Sequence, residues 1–380
     1  MDCTEIRQKF VTYYKTKGFH LIPQLPLLQK NLPMSYVFSC TPPEPEPDTD
    51  KFVRSQICFR HFDVDAAGKD RLHLSLFEMS GAFRFGSENR EKTIARIWQW
   101  AIQIMGIDPE RIWVSYFRGG RVGFGADSPT ENTHGFLELP EDREIFQAWR
   151  QVGVPESRIA GLDAGHNYWV EKTRDKDISL KCGPISEMFY DLGKDRSCGK
   201  NCLPGCQCGR FIEFCNNRFI SDTFNPKKGR MEKTETALAE SVLGVERTAM
   251  IVQNVPCVSE IKSRQTLHKK IHAFVTCKNM DDAFVKECEH VIADHLKALC
   301  ILLAEGAPEP GRSGRARIMR TMIRKMLTRK MLLGIDADDF FPVMLSELIP
   351  NDTQEKSLKE KIILCLEKES EKFANTLKKI

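Results

Sequence analysis

An arginine, a phenylalanine and a glutamate on neighbouring segments are enough to hold a nucleotide, and the stretch CFRHFDVDAAGKDRLHLSLFEMSGAFRFG offers Arg60, Phe77 and Glu78 in that relation. A guanidinium grips phosphate, an aromatic ring stacks on a purine, and a carboxylate accepts from an exocyclic amine. The same residues would also suit an ordinary strand pair with charged surface positions. A second cluster, CGKNCLPGCQC, sets Cys198, Cys202, Cys206 and Cys208 in a C-x3-C-x3-C-x-C pattern. Four thiolates match the ligand count of a structural Zn²⁺, in a spacing other than the common C-x2-C pairs; the alternative is a loop of reduced cysteines. A third feature is the span 310–333, where six arginines (312, 315, 317, 320, 324, 329) and two lysines (325, 330) occur without an acid. Arg320 and Arg324 are a helical turn apart and Arg317 comes three residues earlier, so phosphates of an RNA stem could be bridged along one face. Ile318, Met322, Ile323 and Leu327 interleave with them and predict a packed helix with an exposed basic side. His268 and His272, one turn apart in HKKIH, read as solvent-facing histidines and not as half of a metal site.

These groups need elements to position them. TEIRQKFVTYYKTKGF spaces Ile6, Phe10, Tyr13 and Tyr14 as an opening helix, with Thr4 as its cap and Gly18 as its stop. TPPEPEPDTD, residues 41–50, holds four prolines that remove amide donors, so it is read as an exposed loop between two strands. VRSQICFRHFDV and LHLSLFEMSGAFRF are predicted as antiparallel strands around the DAAGKD turn. SENREKTIARIWQWAIQIMG is predicted as a helix capped by Ser87 with Glu91 behind it, its stripe made by Ile94, Ile97, Trp98, Ala101 and Ile104. Strands are expected at RIWVSYF, ISEMFYDLG and RFIEFCNNRFI, and ESVLGVERTAMIV should run from strand or turn into a helix near Gly244. Beyond Pro256 the apolar spacing turns helical, ending in the amphipathic KEKIILCLEKESEKFANTLKKI. The fold class is therefore α+β, an antiparallel sheet flanked by helices in residues 1–256 and an all-helical domain in 257–380.

Composition narrows the remaining choices. A chain of 380 residues with 41% hydrophobic and 28% charged residues, 23 Phe and 5 Trp has ample core-forming surface and is neither a small stapled module nor a disordered protein. No apolar stretch is long enough for a membrane span and MDCTEIRQKF has no signal-peptide core, so a cytoplasmic location without membrane contact is expected. Fourteen cysteines are then expected to be thiols or metal ligands. The net charge of +4 says little about partners; the local basic span says more.

Taken in order, these segments resemble the aminoacylation core of the alanyl-tRNA synthetase family. The Arg60 strand with FEMSGAFRFG is similar to the second motif of class II aminoacyl-tRNA synthetases. RIWVSYF, HNYWV, CGPISEMFYDLG, RFIEFCN and LGVER follow in the family's order, and VIADHLKALCILLAEG, RKMLLG and FFPVMLSEL continue it into the helical tRNA-binding domain. The resemblance covers nearly the whole chain. It implies a class II ligase using ATP and Mg²⁺, with Arg60 on the α-phosphate, Phe77 and the third-motif Arg247 sandwiching adenine, and Glu78 at the nucleotide edge. It also implies an amino-acid pocket lined by Trp169, Asn216 and Glu240, the last meeting the substrate ammonium, and tRNA acceptor-stem contacts at Arg312, Arg317, Arg320 and Arg324. Cys-rich insertions occur at the corresponding place in some members.

The departures from the family carry information too. Glu240 stands where the family has Asp in a DTG-type sequence, and Val242 replaces the Gly that follows, which implies a reshaped pocket with its ammonium anchor displaced by about one C–C bond. GRSGRARIMRT places Arg312 and Arg317 where the family's acceptor-stem segment has Asn and Tyr, exchanging amide recognition for phosphate affinity. The family's editing and C-terminal domains have no counterpart in the chain, and a pocket for a small amino acid separates neighbours by only about 1–3 kcal/mol, so a specialised role is expected. The expected function is activation of a small amino acid, alanine or a close analogue, and its transfer to the 3′ end of tRNA. A paralog loading a non-tRNA acceptor and a catalytically silent RNA-binding regulator are the alternatives.

Overall fold

The computed structural model describes the whole chain except residues 31–34, 47, 87–89, 126–132, 173–174, 176, 350–352 and 379–380. Its centre is a nine-stranded sheet. The strands in chain order are β1 (His20–Leu21), β2 (Lys51–Phe59), β3 (Leu76–Phe85), β4 (Ile112–Phe117), β5 (Gly120–Gly125), β6 (Thr133–Leu139), β7 (Ile159–Leu162), β8 (Tyr168–Val170), β9 (Leu180–Asp191), β10 (Phe211–Asn225) and β11 (Arg230–Gly244). The sheet runs β1-β2-β3-β11-β10-β9-β4-β7, with β8 also on β9, while β5 and β6 form a separate ribbon. Its middle is antiparallel as expected, but the pairs β1/β2 and β4/β7 are parallel, so the sheet is mixed.

Period-two alternation assigns the faces. On one face lie the helices α1 (Cys3–Thr16), α2 (Arg90–Gln99), α3 (Arg143–Gln151) and α5 (Val245–Gln253), α4 being the short Ala164–Asn167 turn. They enclose Phe10, Tyr14, Trp100, Trp149 and Leu243, all essentially inaccessible. Each fully buried side chain of this kind contributes roughly 2–3 kcal/mol. The opening helix begins at Cys3 and is capped by Asp2 and not by Thr4, because Asp2 has Glu5 three residues on and closes a reciprocal capping box. Gly18 follows the helix end at φ 81°. Ser87, the expected cap of α2, lies outside the described residues. The apolar stripe of α2 is interrupted by a π turn over Trp100–Ile104, which advances the phase, buries Trp100 and leaves Ile104 only half-buried.

After Pro256 every described element is helical: α6 (Lys262–His272), α7 (Asp282–Ala304), α8 (Gly314–Leu332), α9 (Phe340–Leu348) and α10 (Thr353–Leu377). Their core is shared with the sheet region, since Leu27, Tyr36, Phe59 and Leu76 pack in the same cluster as Leu296, Met322, Met326 and Phe340. A polar clamp completes the junction. The Asp294 carboxylate on α7 accepts hydrogen bonds from the backbone N–H and the hydroxyl of Ser75, and Arg264 on α6 donates to the Leu76 carbonyl at 3.3 Å. Arg264 and Asp294 are 3.9 Å apart and both are buried. No described helix is long and apolar enough to cross a membrane.

Removing one member of a buried charged network leaves the other uncompensated. Asp294→Ala is expected to destabilise the fold by about 3–5 kcal/mol, as measured by chemical denaturation; a loss near zero would show that Arg264 finds other partners.

Candidate functional site

The sheet face opposite α1, α2 and α5 opens into a cavity of about 280 Å³. Its floor is cut from three adjacent strands by alternation: Phe77 and Met79 on β3, Val242 and Gly244 on β11, Asn216 and Arg218 on β10. Trp169 on β8 forms a wall. That wall depends on Gly183, which pairs with Trp169 across β8 and β9, because a Cβ at Gly183 would overlap the Phe219 carbonyl of β10.

Two arginines stand at one end. Arg60, just past β2, donates through Nε to the Phe38 carbonyl at 2.9 Å, sits 3.9 Å from Asp63, and lays its guanidinium 4.8 Å from the Phe77 ring centroid. Arg247, in the first turn of α5, donates to the Glu213 carbonyl at 3.0 Å and reaches its carboxylate at 3.3 Å. The two guanidiniums are close enough for Arg247 to lower the proton affinity of Arg60, which burial lowers first. Both are thus fixed by oxygen acceptors before any anion arrives, the preorganised state that charge stabilisation requires.

At the other end stand Trp169, Asn216 and Glu240. Glu240 is 5% exposed and faces Arg218 directly across the β10/β11 ladder, with Arg218 Nε 2.8 Å from Glu240 Oε1. The Arg218 guanidinium in turn lies 4.4 Å from the Trp169 ring centroid. Burial pushes the Glu240 carboxyl up, and Arg218 opposes it. Its second oxygen, Oε2, has no hydrogen-bond partner among the described residues.

Six residues named from the sequence therefore share one cavity: Arg60, Phe77, Trp169, Asn216, Glu240 and Arg247. Glu78 does not line it. As the odd position between Phe77 and Met79 it points to the helix face, where Arg7 of α1 lies 3.1 Å away, and burial pushes its carboxyl up to about 7. Its neighbour Glu246 does line the cavity, and accepts the Glu78 backbone N–H at 2.9 Å. Sequence reading also passed over Arg218, Glu213 and Glu187. Arg218 was open to discovery, since it follows Asn216 by two residues on the same strand face. Glu187 on β9 accepts weakly from Ser115 and Asn216 at 3.4 and 3.5 Å, and burial, then the Glu213 charge, push its carboxyl up to about 8. Glu213 lines the cavity and its charge acts on Glu187, and two neighbouring carboxylates are a donor set suited to a hard divalent cation.

Outside the cavity the four cysteine sulfurs all lie within 4.8 Å of one another, with Cys198 and Cys206 at 3.2 Å and Cys202 and Cys208 at 3.5 Å. Arg312, in the bend before α8, and Arg317 on α8 are exposed, Arg320 on α8 is half-exposed, and none of the three has an ion pair among the described residues. Arg324, expected on the same basic face, turns inward: it pairs with buried Glu369 at 2.6 Å and stacks on Phe373 of α10, so it is withdrawn from the phosphate-facing set. His272 is exposed and pairs with Glu289 at 2.6 Å. His268 departs from its solvent-facing expectation, since its ring packs 4.8 Å from His290 and burial pushes its pKa down to about 3.

The raised Glu187 carboxyl has a checkable consequence. A carboxyl whose folded pKa exceeds its unfolded value favours the fold at low pH and costs stability as pH rises from 4.5 towards 8. Glu187→Gln is therefore expected to leave Tm unchanged near pH 5 and to raise it by a few degrees near pH 8; equal Tm at both pH values would show that Glu187 is not held protonated.

Known proteins resemble the chain over nearly its full length. Residues 5–379 match the family described as tRNA synthetases class II (A). The chain is 28% identical over 344 residues to the alanine–tRNA ligase of Caldicellulosiruptor saccharolyticus, covering 88% of this chain and 36% of that protein. It is 27% identical over 391 residues to the alanine–tRNA ligase of Acetivibrio thermocellus, covering 99% of this chain and 41% of that protein. The chain thus spans somewhat over a third of the length of these curated relatives. Among solved structures, an apo histidyl-tRNA synthetase from S. aureus is similar at a TM-score of 0.36 and 10% identity, over 68% of each chain. With a family match that runs across almost every residue, the chain belongs to the class II (A) tRNA synthetases.

Proposed function

We propose that this protein uses ATP to convert a small amino acid, alanine or a close analogue, into an aminoacyl-adenylate, and then transfers the acyl group to the 3′ end of a tRNA. The observation that carries the reading is the presence of Arg60, Arg247 and Phe77 in one cavity with Asn216, Trp169 and Glu240. In the first step a carboxylate oxygen of the amino acid attacks the α-phosphorus of ATP, the bond to the β-phosphate oxygen breaks, and pyrophosphate leaves. Two anions must meet, so Arg60 and Arg247 neutralise the charge that builds on the α-phosphate, and no general base is needed. Phe77 would stack on the adenine. Glu187 and Glu213 would hold Mg²⁺, which when bound supplies charge neutralisation on the triphosphate. In the second step a ribose hydroxyl attacks the acyl carbon and AMP and a proton are released.

Residues 1–256 would perform this chemistry and residues 257–380 would engage the acceptor stem, with Arg312, Arg317 and Arg320 on its phosphates and Arg324 excluded by its pairing with Glu369. The alanine–tRNA ligases among its relatives support tRNA as the acceptor. ATP–pyrophosphate exchange with the full chain tests activation: exchange is expected with at least one amino acid and should fall by about 10²-fold or more in Arg60→Ala. Exchange that survives this change removes the phosphate clamp, and absence of exchange with every amino acid favours an RNA-binding regulator. Transfer of labelled amino acid to total tRNA is expected in the same assay; exchange without transfer favours a non-RNA acceptor.

A structural Zn²⁺ on Cys198, Cys202, Cys206 and Cys208 is part of the same reading. A tetrahedral thiolate site at a Zn–S distance of about 2.3 Å needs sulfurs about 3.8 Å apart, and the four sulfurs need only small adjustments to reach it. The loop they occupy leads into β10 through Arg210, whose guanidinium holds Asp191 at 2.7 and 2.6 Å, so the ion would brace the strand that carries Asn216 and Arg218. Elemental analysis is expected to find one zinc per chain, lost together with several degrees of Tm in Cys202→Ser; a zinc-free protein with four titratable thiols and unchanged Tm in that variant would reject the site.

A further inference from the structure

A pocket that anchors only an ammonium and a methyl group has no use for an arginine. Here Arg218 is one, and its environment is built: its guanidinium lies over Trp169, its Nε is against Glu240, and both ions are screened from water, with side-chain exposures of 18% and 6%. The pair is directly cross-strand, so backbone pairing and not loop conformation holds the two charges side by side. The contact is incomplete, however. Glu240 Oε2 has no hydrogen-bond partner among the described residues, although Glu240 is 5% exposed and lines the cavity. Unsatisfied buried charged atoms cost free energy until a ligand completes them.

Charge counting then selects the ligand. An ammonium placed on Glu240 would make that carboxylate serve two cations and leave a net positive charge in a poorly hydrated pocket, unless the ligand also brings an anion. The α-carboxylate of the substrate cannot be that anion, because it has to face the α-phosphate beside Arg60 and Arg247. A second anion on the substrate side chain restores neutrality and gives the planar guanidinium of Arg218 the partner its fork geometry suits. In an amino acid with a short acidic side chain the ammonium and the side-chain anion project side by side, as Glu240 and Arg218 do.

We propose that the amino-acid end of the cavity takes an α-amino acid bearing an anionic group on its β-carbon, a carboxylate or a sulfonate, with its ammonium on Glu240 Oε2 and its side-chain anion on Arg218. This deepens the reading of the same cavity as an amino-acid-activating site and rests on it. Asn216 and Trp169 then shape the walls, and Val242 narrows the floor beside Glu240.

The test uses the full chain with ATP and Mg²⁺ in ATP–pyrophosphate exchange against L-aspartate, L-cysteate, L-alanine, L-serine and glycine. Exchange is expected with aspartate or cysteate at a kcat/KM at least about 10²-fold above alanine, the scale on which a lost buried ionic partner discriminates. Arg218→Val should reverse that preference by raising KM for the acidic substrate, and Arg218→Lys should retain it in part. Because the valine variant could fold poorly by stranding Glu240, the ranking in the unmodified protein decides by itself. Exchange with alanine, serine or glycine in preference to the acidic pair overturns the inference while leaving activation intact. Should no amino acid support exchange, the activation reading fails instead, and calorimetric titration with aspartate and alanine still judges the pocket: selective aspartate binding lost in Arg218→Val and kept in part in Arg218→Lys supports the assignment, and absence of aspartate binding overturns it.

Discussion

Electrostatic repulsion between anions is what the chemistry proposed for this cavity has to overcome, and the guanidiniums that line it have positions settled in advance. Arg60 is pinned by the Phe38 carbonyl and Asp63, Arg247 by the backbone and side chain of Glu213, and Arg218 by Glu240 and Trp169. A free arginine would lose rotameric freedom on meeting an anion; these have already lost it in the fold. The cost appears in the acids that do the pinning. Among them the Glu240 carboxyl is pushed upward by burial and opposed by Arg218, and Glu187, beside Glu213, is pushed upward by burial and by the Glu213 charge.

The scaffold follows from that need for fixed positions. Three adjacent antiparallel strands give a floor on which alternate residues face one way, so Phe77 and Met79, Asn216 and Arg218, and Val242 and Gly244 converge without any loop having to be ordered. The opposite face is locked by α1, α2 and α5 through large aromatic side chains. The helical region is fastened at Ser75 and Leu76, immediately before Phe77, through Asp294 and Arg264. The helical region is therefore joined to the strand that carries Phe77 by buried, charged hydrogen bonds.

Much of this was legible in the chain. The motif order named the strands and the cavity residues because those residues have few chemical substitutes, and the helix starts followed local capping rules even where Asp2 displaced Thr4 as the cap. Glu78 was misplaced because strand parity, not residue type, decides whether a carboxylate meets a ligand; its neighbour Phe77 takes the cavity face and Glu78 is turned towards Arg7. Arg324 was misplaced for a related reason. Helical spacing alone put it with Arg317 and Arg320, but the sequence could not say where α10 would lie, and Glu369 on that helix claims it.

By itself, then, the amino-acid sequence determined the family, most of the strand and helix inventory, and the candidate residues for phosphate, adenine and amino-acid contacts, because these depend on side-chain chemistry and short-range periodicity. Only the tertiary structure decided which of those groups face each other: the cross-strand meeting of Arg218 with Glu240, the convergence of Glu187 with Glu213, and the closeness of four cysteine sulfurs. The physical reason is that net charge at a point in space is a sum over neighbours brought together by long-range pairing, and no local window of sequence contains that sum.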